Sequence, residues 1–259
     1  MTSLTIHRRE PARAPLLAVV HGRVEFAGHA TRDDVVARHV ADIDLGAEEL
    51  GTELAARVVC SHASFALSRA VVDFNRALRI SDERDAHLAK GALGSWVRHL
   101  RPEQLVELCA LYADAEAPAD WLARQATDIV TVHTYDALPG RPEISILSEV
   151  DERGMPPLAR PEWAEAFGRT LQEQFPTWSV DWRHGTYRNP RFCWEQRARD
   201  RGAPFANAVV LEVRKDLISV GGVVQETAVA AVARGIASAL PWRLRAEVGT
   251  RATAATPVG

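Results

Sequence analysis

Three cysteines, Cys60, Cys109 and Cys193, are all the thiols this chain has. An odd, widely spaced trio supplies no paired disulfide framework and points to a reducing compartment. No run approaches the roughly eighteen apolar residues that a membrane-crossing helix needs. The opening stretch MTSLTIHRREPARAPLLAVV has too short an apolar run, and no small-residue cleavage pattern after it, to read as a secretory signal. The expected setting is the cytoplasm. Charge of one sign is also missing: 31 basic residues stand against 34 acidic ones, for a net charge of -3. That balance argues against a nucleic-acid binder with a broad basic face, while leaving room for a small basic pocket. Neither GxGxxG nor GxxxxGK[ST] occurs, so no glycine-rich phosphate loop is expected. Internal repeats and heptad arrays are absent too.

What is present is a chain of 259 residues, long enough for one large core. Residues 1–14 are charged and proline-rich and read as a loose lead-in. LLAVV at 16–20 is a continuous apolar run, the pattern of a strand buried on both faces, and DIVTVH at 128–133 reads as the next buried strand. PEISILSEV at 142–150, WSVDWR at 178–183 and VVLEVRKDL at 209–217 predict further strands, and AVVDF at 70–74 a short strand edge. Helices are predicted at 31–40, 46–59, 102–113, 118–126, 161–175 and 223–240. In the second of these, Leu50, Leu54 and Val58 share one face. Strands alternating with helices predict a layered α/β domain. Residues 79–127 could form a helical excursion or lid.

The chemistry-bearing residues sit where those apolar runs end, the usual place for ligands in an α/β fold. His21 and His133 each close a strand-like run. Zinc takes imidazole and carboxylate ligands, and a catalytic site keeps one position open. Glu25, in the loop after His21, could close on the same ion, with Asp42 and Asp44 as rival carboxylates. Two half-buried, hydrogen-bonded histidines are the plain alternative. Glu212 lies inside an apolar strand, where a carboxylate is costly unless paired or functional. Near an ion it could move a proton between water and a leaving amine; an ion pair with Arg214 or Arg76 would also explain it. Arg214, two residues on, should share its face. Arg69, Asp73, Asn75 and Arg76 flank another apolar run. They could grip a carboxylate or form a stabilising salt-bridge network. Thr134, Tyr135, Tyr187 and Arg188 are candidates to line a pocket. Cys60 and Cys193 lack the surroundings of a nucleophile.

Taken in order, these segments resemble the N-formylglutamate amidohydrolase family, itself similar to zinc carboxypeptidases and aspartoacylases. The resemblance runs over roughly residues 16–220. It rests on HG at 21–22, DLGAEEL at 44–50, SRAVVDFNR at 68–76, VHTYD at 132–136 and LEVRKDLI at 211–218. It implies a three-layer α/β/α fold around a central mixed sheet, zinc-carboxypeptidase-like (phosphorylase/hydrolase-like), in a single domain over 1–259. It also implies Zn2+ held by His21, Glu25 and His133, with Asp44 as the rival third ligand. Asn75 and Arg76 would hold a substrate carboxylate, and Arg69 would bind it too or polarise the scissile carbonyl. Glu212 would be the general acid/base. Arg214, Thr134 and Tyr187 would contact substrate.

The implied activity is hydrolysis of an amide bond in an N-formyl or N-acyl amino acid, or in a short peptide with a free carboxylate. Thr134 stands where that family has serine, and the first loop reads HGRVEFAG. Two other readings stay open: a metallocarboxypeptidase-like peptidase, and a non-catalytic carboxylate- or peptide-binding protein that retains the fold. The expected partners are small carboxylate-bearing molecules, with neither nucleic acid nor membrane among them.

Overall fold

A computed structural model describes residues 4–10, 13–20, 43–65, 67–68, 71–74, 78, 80, 92–93, 97–98, 100–150, 158–182, 186–187 and 207–245. In chain order the first half contains β1 (Leu4–Arg8), β2 (Ala14–Val19), α1 (Ala47–Arg57), β3 (Ser61–Phe65), α2 (Pro102–Gln125) and β4 (Ala126–Tyr135). Then follow β5 (Ile144–Leu147), β6 (Glu149–Val150), α3 (Pro161–Gln174), β7 (Val180–Asp181) and β8 (Thr186–Tyr187). The chain continues through β9 (Asn207–Arg214), a 3-10 turn at Lys215–Leu217, β10 (Ser219–Val220), β11 (Val223–Val224) and α4 (Glu226–Ala239).

Seven strands form one sheet in the order β1-β3-β2-β4-β9-β5-β7. β3, β2, β4 and β9 are mutually parallel, while β1 and β5 run antiparallel to their neighbours β3 and β9. The sheet is therefore mixed. Its central strands are buried on both faces, as strands covered by helices on each side are. On one face Leu17, Val19, Val132, Leu211 and Ile146 pack with α1, α3 and α4. On the other, Leu16, Ala18, Ala63, Phe65 and Ile129 pack with α2. Helices on both sides of a mixed sheet make the three layers that the motif resemblance implies.

Several local expectations change. The lead-in contains β1, which pairs with β3 and covers its edge. Residues 71–74 are a turn: Val71 and Val72 are buried, but their N–H groups bond to the Ser68 carbonyl instead of joining the sheet. α2 runs unbroken through Pro118. Its buried stripe of Leu108, Tyr112, Ala115, Ala119 and Leu122 continues past the proline, and that packing outweighs the missing N–H. Of the 79–127 stretch, 102–125 is thus a core-covering helix. PEISILSEV splits into β5, in the main sheet, and β6, which pairs with β8 in a separate ribbon. β10 and β11 form a hairpin through Gly221 and Gly222, both at positive φ, the backbone such a two-residue turn demands. Among the described residues, no helix is long and apolar enough to cross a membrane.

Candidate functional site

β2 connects through α1 to β3 on one side, whereas β4 leads on toward β5 on the other. Their carboxyl ends therefore part company, leaving the crevice where open α/β sheets bind ligands. The described part of β2's exit ends at buried Val20, one residue before His21. His133 lies near the carboxyl end of β4, just beyond the Val19–Val132 pair that joins the two strands.

His133 is 7% exposed and Asp44 5%. Asp44 Oδ2 lies 2.6 Å from His133 Nδ1. The segment carrying Asp44 is firmly held. Gly46 takes a positive φ of 83° at the start of α1, and an added Cβ would meet Ile218 Cδ1 at 2.6 Å. Thr134 donates its hydroxyl to the Leu45 carbonyl at 3.0 Å, and Ala47 N–H donates to the Asp44 carbonyl at 3.0 Å. A carboxylate on one imidazole nitrogen fixes the ring's tautomer and direction.

His133 is in register with Glu212 on β9, Glu212 with Ser145 on β5, and Ser145 with Asp181 on β7. Strands about 4.8 Å apart thus carry a lateral row of four polar residues across one face. Glu212 is half-buried. Burial pushes its carboxyl above the ordinary carboxylate range, and Asp44 adds to that, while His133 and Arg141 pull it down. A raised carboxyl next to an oriented imidazole suits proton transfer.

Tyr135 comes two residues after His133, in register with Arg214. Its hydroxyl donates to the Pro142 carbonyl. Burial raises its pKa, opposed by a hydrogen bond with Ser145. Arg141 lies over the Tyr135 ring, 5.5 Å from the centroid. Arg214 is bound to Glu143 at 2.9 Å and Asp216 at 2.7 Å, and Lys215 to Asp136 at 3.0 Å. Of these three cations at the site's rim, Arg141 has no carboxylate partner among the described residues.

The expected site residues are thus placed unevenly. His133 and Glu212 are neighbours, with Asp44 behind the histidine. Thr134 is turned to the opposite face by strand alternation, and Arg214 is engaged by two carboxylates; substrate contact by either would require leaving its present partners. Tyr187 lies in β8, its backbone paired with Val150. His21, Glu25, Arg69, Asn75 and Arg76 lie outside the described residues. Among the described residues, no group of three His, Cys, Asp or Glu side chains is arranged to hold a metal. Cys60 is buried, which pushes its thiol up to about 12, the reverse of what a nucleophile needs. Sequence reading missed Arg141 and Ser145. Strand alternation within ISIL could have exposed Ser145, but only the antiparallel pairing of β5 with β9 makes it Glu212's neighbour.

No protein-family model matches the chain, and no curated protein sequence does. Its fold is similar to that of a crystal structure of N-formylglutamate amidohydrolase from Ralstonia eutropha JMP134 (TM-score 0.55, 15% identity, covering 92% of this chain and 96% of that one). It is also similar to a gene product of Agrobacterium tumefaciens (TM-score 0.59, 17% identity, covering 92% and 93%). At such identities the likeness is one of fold, and activity has to be argued from the site.

Proposed function

We propose that the protein is a zinc-dependent hydrolase. It would cleave the amide bond of an N-formyl or N-acyl amino acid, or of a related small carboxylate-bearing substrate. The observation carrying this reading is the side-by-side placement of His133 and Glu212 at the switch point of the sheet, with Asp44 bonded behind His133. The fold shared with an N-formylglutamate amidohydrolase supports it, as do the ordered motifs HG, SRAVVDFNR and LEVRKDLI.

Of the proposed zinc ligands, His133 lies among the described residues, and its imidazole is a donor type that zinc takes. With Nδ1 of His133 engaged by Asp44, Nε2 would be the nitrogen that binds the ion. His21 and Glu25 complete the proposed set. Asp44 is assigned to orienting His133, which leaves Glu25 as the carboxylate ligand. When bound, zinc lowers the pKa of a water and polarises an amide carbonyl.

The chain's own residues do the rest. Glu212 accepts a proton from the attacking water as its oxygen bonds to the carbonyl carbon. It returns that proton to the amide nitrogen as the C–N bond breaks, giving a carboxylic acid and a free amine. Its raised pKa keeps it basic enough to accept that proton and able to give it up again. Asn75, Arg76 and Arg69 are proposed to hold the substrate carboxylate, and Arg141, whose charge acts on Glu212, offers a further cation.

Elemental analysis of purified protein, with His133→Ala alongside, tests the metal. A panel of N-formyl, N-acyl and dipeptide substrates then tests the reaction. About one zinc per chain, lost in the variant, together with release of free amine, is the expected result. Protein that neither carries zinc nor takes it up would overturn the reading.

A further inference from the structure

We propose that a cleft at the opposite end of the sheet binds a small molecule through an oxyanion, carboxylate or phosphate, held between Arg9 and Arg13. The cleft is small, about 80 Å³, the scale of an anionic group and below that of a site enclosing a whole drug-sized ligand. Ala14, Ser61 and Ala126, the first residues of β2, β3 and β4, line it. It therefore lies at the amino ends of the parallel strands. Along β4 the seven residue-to-residue steps from Ala126 to His133 separate it from the hydrolase site by about 23 Å.

The arginines around this end of the molecule differ in how they are engaged. Arg8 donates to the Ala55 carbonyl at 2.6 Å and Arg124 to the Asp120 carbonyl at 3.3 Å. Arg57 binds Glu53 at 2.9 Å, and Arg245 binds both Glu10 at 2.5 Å and the Val58 carbonyl at 2.9 Å. Arg9 and Arg13 have no oxygen partner among the described residues. Arg9 is nevertheless held in place, its guanidinium 3.8 Å from the centre of the Trp121 ring. Stacking uses the flat face of the guanidinium and leaves its edge N–H groups free for two parallel bonds to an oxyanion.

The rest of the lining agrees. Glu10, the one acid lining the cleft, is neutralised by Arg245. Ser61 Oγ accepts the Glu10 N–H at 3.2 Å and keeps its own proton to donate. Gln125 adds amide donors, while Leu16 and Leu122 supply an apolar wall for the rest of the molecule. The competing role for these arginines is to screen the negative carbonyl end of α2, which stops at Gln125. That role requires no cleft and no saturable ligand.

Calorimetric titration at low ionic strength, with inorganic phosphate and separately with succinate, decides between the two roles. Binding of at least one anion is expected, weakened about tenfold or more in Arg9→Gln/Arg13→Gln but kept in His133→Ala. Phosphate alone would identify a phosphate site, succinate alone a carboxylate site, and both a general oxyanion site. Arg9→Lys keeps the charge but loses the planar fork, so it should also bind more weakly. That variant decides the matter if the double variant melts early. Failure of either anion to saturate by about 10 mM, or binding unchanged in the arginine variants, would overturn the proposal. Hydrolase activity plays no part in this test.

Discussion

Asp44 and His133, 89 positions apart in sequence, meet in a 2.6 Å hydrogen bond with both side chains buried. The segment leading into α1 carries one to the bond and β4 the other. The aspartate thereby controls which imidazole nitrogen faces the crevice.

If Asp44 orients a ligand and does not itself bind the ion, Asp44→Asn should keep zinc but hold it about 10- to 100-fold more weakly. Glu25→Ala should lose zinc outright. Competition with a chelator measures both. Full metal retention in Glu25→Ala, with loss in Asp44→Ala, would reverse the two assignments.

Glu212 is proposed to move the proton, so Glu212→Gln should lower kcat by about 10²- to 10⁴-fold. Metal content and thermal midpoint should stay close to those of the parent. A variant that retains activity would remove Glu212 from the reaction.

Arg141 should matter to a carboxylate-bearing substrate and little to its neutral amide analogue. Arg141→Gln is expected to raise KM by about 10- to 100-fold for the former, the worth of a charged hydrogen bond. Equal KM values for both substrates in parent and variant would show that Arg141 reads no charge.

Glu143 accepts hydrogen bonds from the Ser179 N–H at 2.8 Å and hydroxyl at 2.5 Å. These bonds, with Arg214 beside it, hold its carboxyl below the usual value of 4.5. A depressed native pKa stabilises the fold above the unfolded value and loses that contribution as pH falls through the native one. The melting-temperature advantage of the parent over Glu143→Gln should therefore be full near neutrality and shrink through the acid range. A pH-independent difference would contradict it.

Gly168 in α3 lies against Trp182, whose Cδ2 would be 2.3 Å from an added Cβ. Helix propensity favours alanine there, but the overpacked ring should dominate. Gly168→Ala is expected to destabilise by about 1–3 kcal/mol, read by urea unfolding. A gain in stability would show that Trp182 can move aside.

The sequence alone determined the periodic parts of this protein. LLAVV is apolar without interruption because both faces of that strand are covered. Leu50, Leu54 and Val58 mark the buried stripe of α1. His133 and Glu212 stood out because polar groups inside apolar runs carry a desolvation cost that has to be met. Tertiary structure decided what those runs lie beside. Register makes His133, Glu212, Ser145 and Asp181 a row, and register depends on pairing between strands distant in sequence. It also decided that Pro118 stays helical, that residues 71–74 turn instead of pairing, and that Leu4–Arg8 becomes an edge strand. Arg214 and Arg141 look equally available as letters in a sequence. Only the folded chain brings Glu143 and Asp216 to the first and leaves the second stacked over Tyr135, because the partners of a charge come from packing rather than from sequence neighbours.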